Sequence, residues 1–212
     1  LVDTTENENY FNEDSLKNYS AIIFLNTTGN VLNSPQQISF ERFIQAGGGY
    51  AGIHAAADTE YDWPWYGKLA GGYFISHPAI QEATINVLDK THIASKHLPE
   101  KWIRKDEWYN YKELNKNVKV LLSLDEKSYQ GGKNSENHPI SWFHEFDGGR
   151  AFYTGLGHTN ESYADPLYLK HILGGIKYAI GNNILLNYSK ATTPKVPEEN
   201  RLVKTVLTVG TL

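Results

Sequence analysis

Apolar residues in the first third of the chain come in short blocks separated by polar turns. Ser20 to Asn26, SAIIFLN, is rich in β-branched residues and predicts a strand buried on both faces of a parallel sheet. The polar loop NTTGN follows. Ser34 and Pro35 then supply an N-cap and a first-turn proline, Ile38, Phe43 and Ile44 recur at helical spacing, and Gly47 to Gly49 end the helix. Tyr50 to Ile53 predicts the next buried strand, completing a right-handed parallel crossover.

The pattern changes beyond it. Asp58 to Phe74 is dense in Trp, Tyr, Gly and Pro and reads as an aromatic loop with a short helix around Tyr66 to Ala70. Ala79 to Leu88 alternates partly, as a half-buried strand does, whereas Asp89 to Lys105 has no clear period and reads as a loop. DEWYNY (Asp106 to Tyr111) and VKVLLSL (Val118 to Leu124) predict two more strands, and Gln130 to Asn137 a turn. Pro139 to Phe146 and Arg150 to Leu156 flank DGG, the pattern of a β-hairpin. Asp165 and Pro166 open a helix to about Ile180, with Leu169, Ile172, Leu173 and Ile176 as its inward stripe and Gly181 as its stop. Ser189 to Asn200 is polar, proline-containing and unperiodic, as linkers are, and Arg201 to Val209 turns strand-like again. These features predict one α/β domain over residues 1–188, and over 189–212 a linker and the start of a covalently linked C-terminal domain.

Composition narrows the chemistry. With 212 residues, 40% of them hydrophobic, the chain is long enough for one sizeable core. Its net charge is -4 and its cations are scattered, which argues against a nucleic-acid partner and for a small polar ligand. No apolar run approaches the roughly 20 residues of a membrane span. The absence of cysteine excludes disulfides, a thiolate nucleophile and any Cys-based zinc site. Histidines, carboxylates, hydroxyls and aromatics must therefore carry any reaction. There is no methionine, and LVDTTENENYFNEDSL resembles neither a signal peptide nor a native start, so the chain reads as a piece of a longer one.

Three of the eight histidines fall where strands are predicted to end: His54 in GGGYAGIHAAA, His77 after GGYFIS, and His158 after GLG. In open α/β sheets the ligand crevice lies outside the carboxyl ends of the strands, so topology alone exposes such positions. Imidazole serves there as acid, base or metal ligand, and each ring taken singly has the alternative of a capping or packing role. Glu107, beside Asp106, is either half of a solvated acidic pair or a carboxylate that orients a histidine, binds sugar hydroxyls or transfers a proton. Together His54, His77, Glu107 and His158 offer a three-histidine, one-carboxylate set suited to a divalent ion such as zinc, although their wide spacing gives no motif. Tyr61, Trp63, Trp65 and Tyr66 either stack on sugar rings or close the core. His138, at a loop end before Pro139, is a stronger candidate than His144, for which packing is the simpler role.

The blocks GGGYAGIHAAADTEYDWPWYGKLAGGYFISHP, DEWYNY and HPISWFHEFDGGRAFYTGLGHT, in that order, resemble the signature blocks of the ThuA-like, or trehalose-utilisation, family across roughly Leu1 to Gly181. The resemblance implies a flavodoxin-like, class I glutamine amidotransferase-like fold: an α/β, doubly wound, mainly parallel sheet with an antiparallel hairpin, here without its first strand. In that superfamily's amidotransferases the strand-end elbow holds a cysteine, where this chain has His54, so Cys-dependent glutaminase chemistry is not expected. The resemblance further implies a role in disaccharide and keto-sugar metabolism, with members often labelled as secreted glycosyl hydrolases, and hence a secreted or periplasmic location and a carbohydrate ligand. It places His54, His77, Glu107, Tyr109 and His158 at the site. On this reading His54, Glu107 and His158 are catalytic, while His77, Tyr109, Trp63, Trp65 and His138 bind substrate. KVPEENRLVKTVLTVG is similar to the junction at which such domains precede a sugar-dehydrogenase-like β-propeller. Two other readings stay open: a non-catalytic carbohydrate-binding or scaffolding domain, and a metal-dependent hydrolase or isomerase.

Overall fold

A computed structural model describes residues 2–182 and 185–197 of the chain. The elements in order are α1 (Glu13–Leu16), β1 (Ala21–Leu25), α2 (Ser34–Gln45), β2 (Gly49–Ile53), α3 (Pro64–Ala70), β3 (Tyr73–Ser76), β4 (Gln81–Val87), β5 (Lys101–Asp106), β6 (Asn110–Lys112), β7 (Lys119–Leu124), β8 (His138–Phe146), β9 (Gly149–Thr154) and α4 (Pro166–Ile180). A seven-stranded sheet has the order β1-β2-β9-β8-β7-β4-β5, and β3 with β6 makes a small antiparallel sheet. Pairing is parallel across β1-β2-β9 and antiparallel from β9 to β5, so β1, β2, β9, β7 and β5 run one way and β8 and β4 the other. This is a mixed, mainly unidirectional α/β sheet with the expected β8–β9 hairpin, consistent with a flavodoxin-like fold.

Local sequence explains the helices that frame the site's end of the sheet. The N-cap of α2 is Asn33, one residue before the expected Ser34. Its side chain accepts from the Gln36 N–H, while the Gln36 side chain accepts from the Asn33 N–H, a reciprocal box that satisfies two end donors. Asp165 caps α4, Pro166 fills its first position and Gly181 ends it at φ +64°.

Several expectations change. β1 is an edge strand: Phe24 is buried against Phe40, Tyr50 and Tyr66, but Ile23 and Leu25 are exposed, so the strand is covered on one face rather than two. Within the stretch expected to be a loop, Lys101–Asp106 forms β5, whose alternation of buried Trp102 with exposed Ile103 is that of a strand wet on one side. DEWYNY is not one strand. Asp106 ends β5, Asn110 starts β6 in the other sheet, and Glu107, Trp108 and Tyr109 form the break between them.

The inward face of α4 also differs from the expected stripe. Tyr168, His171, Gly174, Gly175 and Ala179 are buried; of the expected stripe, Ile172 and Ile176 pack half-buried against the core, whereas Leu169 and Leu173 are exposed. The helix lies so close to the sheet that a Cβ on Gly175 would stand 2.2 Å from the Phe152 ring. Part of the predicted linker is pinned as well: Thr192 and Thr193 donate their N–H groups to Gln45 on α2. The strand predicted over Arg201 to Val209 lies outside the described residues. No helix among the described residues is long and apolar enough to cross a membrane.

Candidate functional site

Three stretches distant in sequence supply the site. β2 ends at Ile53, and His54 opens a tight turn of small residues, HAAAD, with a backbone φ of +48°. That left-handed conformation is costly for a residue with a Cβ and aims the imidazole across the strand ends. Glu107 comes from the break after β5. His158 comes from the loop after β9.

The imidazole of His54 is 2% exposed, and its Nδ1–H donates to the Gly155 carbonyl at 2.8 Å. In the neutral ring this fixes the tautomer and leaves the Nε2 lone pair facing inward. His54 Nε2 stands 3.2 Å from Glu107 Oε2 and 3.2 Å from His158 Nδ1, and His158 Nδ1 stands 3.5 Å from the same carboxylate oxygen. The three ligand atoms thus bear on one point. The other Glu107 oxygen, Oε1, lies 3.0 Å from His77 Nδ1, so His77 joins the site through the carboxylate without reaching the shared point. His54 and Glu107 are buried; His77 and His158 are each 43% exposed and form the open side.

Burial pushes the Glu107 carboxyl up. The hydrogen bond that His54 gives when its ring carries both protons, and the fields of His158, His77 and His54, outweigh that effect and hold it below the ordinary value of a glutamate. Glu107 is therefore ionised at neutral pH. The Tyr109 ring covers His54 at a centroid distance of 4.2 Å and Phe74 at 4.2 Å, and burial raises its hydroxyl above the ordinary tyrosine range.

A buried carboxylate holds these pieces in place. Asp106 is 0% exposed and accepts from the N–H groups of Glu107 (3.0 Å), Gly157 (3.0 Å) and His158 (3.1 Å), the Ser162 hydroxyl (3.1 Å) and the Arg104 guanidinium (3.2 Å). It thereby fixes the backbone of two site residues at once. Gly157 makes the approach possible: its φ is +107°, and a Cβ there would stand 2.0 Å from the Tyr168 hydroxyl. Sequence reasoning took Asp106 only as half of an acidic pair. Three of its five donors, Gly157, His158 and Ser162, come from more than 50 positions away, so no local pattern announces it.

The other candidates lie elsewhere. Trp63 donates its indole N–H to Glu41 on α2 and stacks on Trp65, whose own N–H donates to Asp147 in the β8–β9 turn, at the opposite end of β9 from His158. Their faces close the packing of α2 and α3, and neither indole joins the cluster. His138 is 0% exposed, which removes it from direct contact with a substrate. Its Nε2–H donates to the Tyr109 carbonyl at 2.8 Å, and Nδ1 meets the Tyr129 hydroxyl at 3.0 Å and Glu126 at 2.8 Å. It braces the segment that carries Tyr109.

A family match and two solved structures carry the same family description. The ThuA family, described as trehalose utilisation, matches residues 1–179. A ThuA-like protein from Bacteroides uniformis superposes with a TM-score of 0.71 at 29% identity, over 84% of this chain and 76% of that one. Another, from Parabacteroides merdae, gives 0.65 at 21% identity over 86% and 75%. A β-galactosidase from Bacillus circulans shares the fold at a TM-score of 0.53 and 12% identity, over 80% of this chain but 23% of that one. Among curated proteins none matches the chain.

Proposed function

Because the chain belongs to the ThuA, or trehalose utilisation, family, we propose that it is a carbohydrate-active domain that processes a glycoside or keto-sugar at the His54–Glu107–His158 cluster. The observation that carries this reading is the convergence of three groups able to accept a proton or bind a cation on one point at the strand ends, with a solvent-facing side next to it.

The donor set favours one kind of chemistry. Ordinary glycosidases need two carboxylates flanking the scissile bond, about 5–10 Å apart. The cluster itself supplies one carboxylate, Glu107, and the adjacent Asp106 is saturated by its five donors, so these two do not form such a pair. Proton transfer beside the carbonyl of a keto-sugar asks less: an electron-poor centre at the carbonyl oxygen, and a base near the acidified C–H. His77 suits the second role. Its Nδ1–H donates to the Pro78 carbonyl at 2.9 Å and lies 3.0 Å from Glu107 Oε1, leaving Nε2 as the basic atom of an oriented ring on the open side.

The test is incubation with disaccharides and their 3-keto forms in D2O. Deuterium uptake next to the carbonyl, or product formation, lost by about 100-fold or more in His77→Asn and Glu107→Gln, is the expected outcome, in line with the usual size of general acid–base contributions. Binding without exchange or turnover would replace this reading with that of a non-catalytic sugar-binding domain.

A further inference from the structure

The geometry points to a divalent metal site of the zinc type at the centre of the cluster, with His54 Nε2, Glu107 Oε2 and His158 Nδ1 as ligands and a fourth position open towards His77 and solvent. The inference rests on the reading of this cluster as the working site, and it names the electron-poor centre.

Edge lengths come first. In a tetrahedral site with metal–nitrogen and metal–oxygen bonds of zinc length, neighbouring ligand atoms stand about 3.3–3.6 Å apart. The three separations here are 3.2, 3.2 and 3.5 Å. One ion can touch all three atoms with little rearrangement. His77 meets the other carboxylate oxygen, so the ligand set is His2Glu rather than the four-residue set suggested by sequence, and His2Glu with an open position is a catalytic donor set.

Lone-pair arithmetic comes second. The Gly155 carbonyl takes the Nδ1 proton of His54, so in the neutral ring the Nε2 lone pair faces Glu107 Oε2 at 3.2 Å. Two acceptors in contact, nearly out of water, need a cation between them or a proton they share. His158 Nδ1 completes a third side of the same point, so an ion with three donors satisfies every group there.

The surrounding shell comes third. Metal-binding histidines usually donate their other N–H to a carbonyl or carboxylate, and ligating carboxylates are themselves hydrogen-bonded. His54 has the Gly155 carbonyl, Glu107 Oε1 has the His77 ring at ion-pair distance (3.0 Å), and the backbones of Glu107 and His158 are both fixed by Asp106. These supports belong to three separate elements and serve the same three ligands. At the open position the ion would take water or a sugar oxygen and polarise it.

The experiment uses the full chain, stripped with chelator and titrated with Zn2+ by calorimetry in the absence of any sugar, with Co2+ as a spectroscopic probe. One Zn2+ per chain and the intense visible absorption of four-coordinate Co2+ are expected. His158→Ala, on the open side, should weaken Zn2+ binding by at least about 100-fold, and His77→Asn, which orients a ligand, by about 10-fold, the sizes typical of lost ligands and outer-shell partners. Glu107→Gln serves as a near-isosteric second variant, and circular dichroism establishes that each variant is folded. No Zn2+ uptake, or uptake that a folded His158→Ala and a folded Glu107→Gln both leave unchanged, overturns the inference. Because binding is read without substrate, stoichiometric Zn2+ binding with no sugar exchange would sink the proposed activity alone, whereas sugar exchange with no Zn2+ uptake would sink the metal site alone.

Discussion

His54 pays for its placement in backbone strain, since a φ of +48° is one that side chains with a Cβ avoid. The cost yields a test that separates backbone from imidazole. His54→Gly and His54→Ala both remove the ring, but glycine accepts the turn, so the glycine variant should be more stable in denaturant unfolding by about 1 kcal/mol. Equal stabilities would show that the turn is not strained. Asp106 makes the opposite case, a side chain whose value lies in its contacts. Asp106→Asn removes the nearer and fully buried of the two carboxylates that pair with the Arg104 guanidinium, leaving Asp165 at 3.4 Å, and a loss of about 3 kcal/mol is expected. Of these residues, sequence pointed to His54, His77, Glu107 and His158, because strand ends and small neighbours are local signals. It missed Asp106 and the Gly155 carbonyl, whose roles depend on chain segments meeting across the fold. It also assigned Trp63 and Trp65 to sugar, since an aromatic pair in sequence looks the same whether its faces meet a ligand or α2.

At the scale of elements, α4 shows why hydrophobic periodicity misread an inward face. The helix packs through Gly174, Gly175 and Ala179, and close approach counts for more there than side-chain area, leaving Leu169 and Leu173 half outside. Gly175→Ala should therefore destabilise the protein by about 1–2 kcal/mol although alanine favours helices, because the new methyl meets the Phe152 ring. A stabilised variant in thermal unfolding would refute this close packing. The same face buries His171, whose Nδ1–H donates to the Ala94 carbonyl and whose Nε2 meets the Thr154 and Ser141 hydroxyls. Burial drives its pKa down from 6.5 to about 3, against the opposing effect of the Ala94 bond. The neutral ring belongs to the folded state, and the unfolded chain binds the extra proton between those values. Its stabilising effect is complete above about pH 6.5 and is lost as pH falls towards 3. Burial lowers His92 and His144 in the same direction. Denaturant unfolding at pH 7 and pH 4.5 should show lower stability in acid, and a folded His171→Leu should narrow the gap.

For the molecule as a whole, strand order alone would not assemble the site. β5 stands four places from β9 in the sheet, a span of about 19 Å if the sheet were flat. Asp106 at the end of β5 nevertheless meets the backbone of Gly157 and His158, so the end of β5 and the loop after β9 come together along the strand ends. The α/β class, the parallel crossover and the hairpin were legible because each is written in a few adjacent residues. That meeting was not, since it joins segments about 50 positions apart in the chain. It also sets a timetable for folding. Contacts between residues about 50 positions apart close long loops and tend to form after local ones. In pulse-labelled hydrogen exchange during refolding, the amides of Gly157 and His158 should gain protection after those that pair β1 with β2. The chain would then pass through a stage with most of its secondary structure and no working site, and recovered chemistry would mark the last step of folding rather than the first.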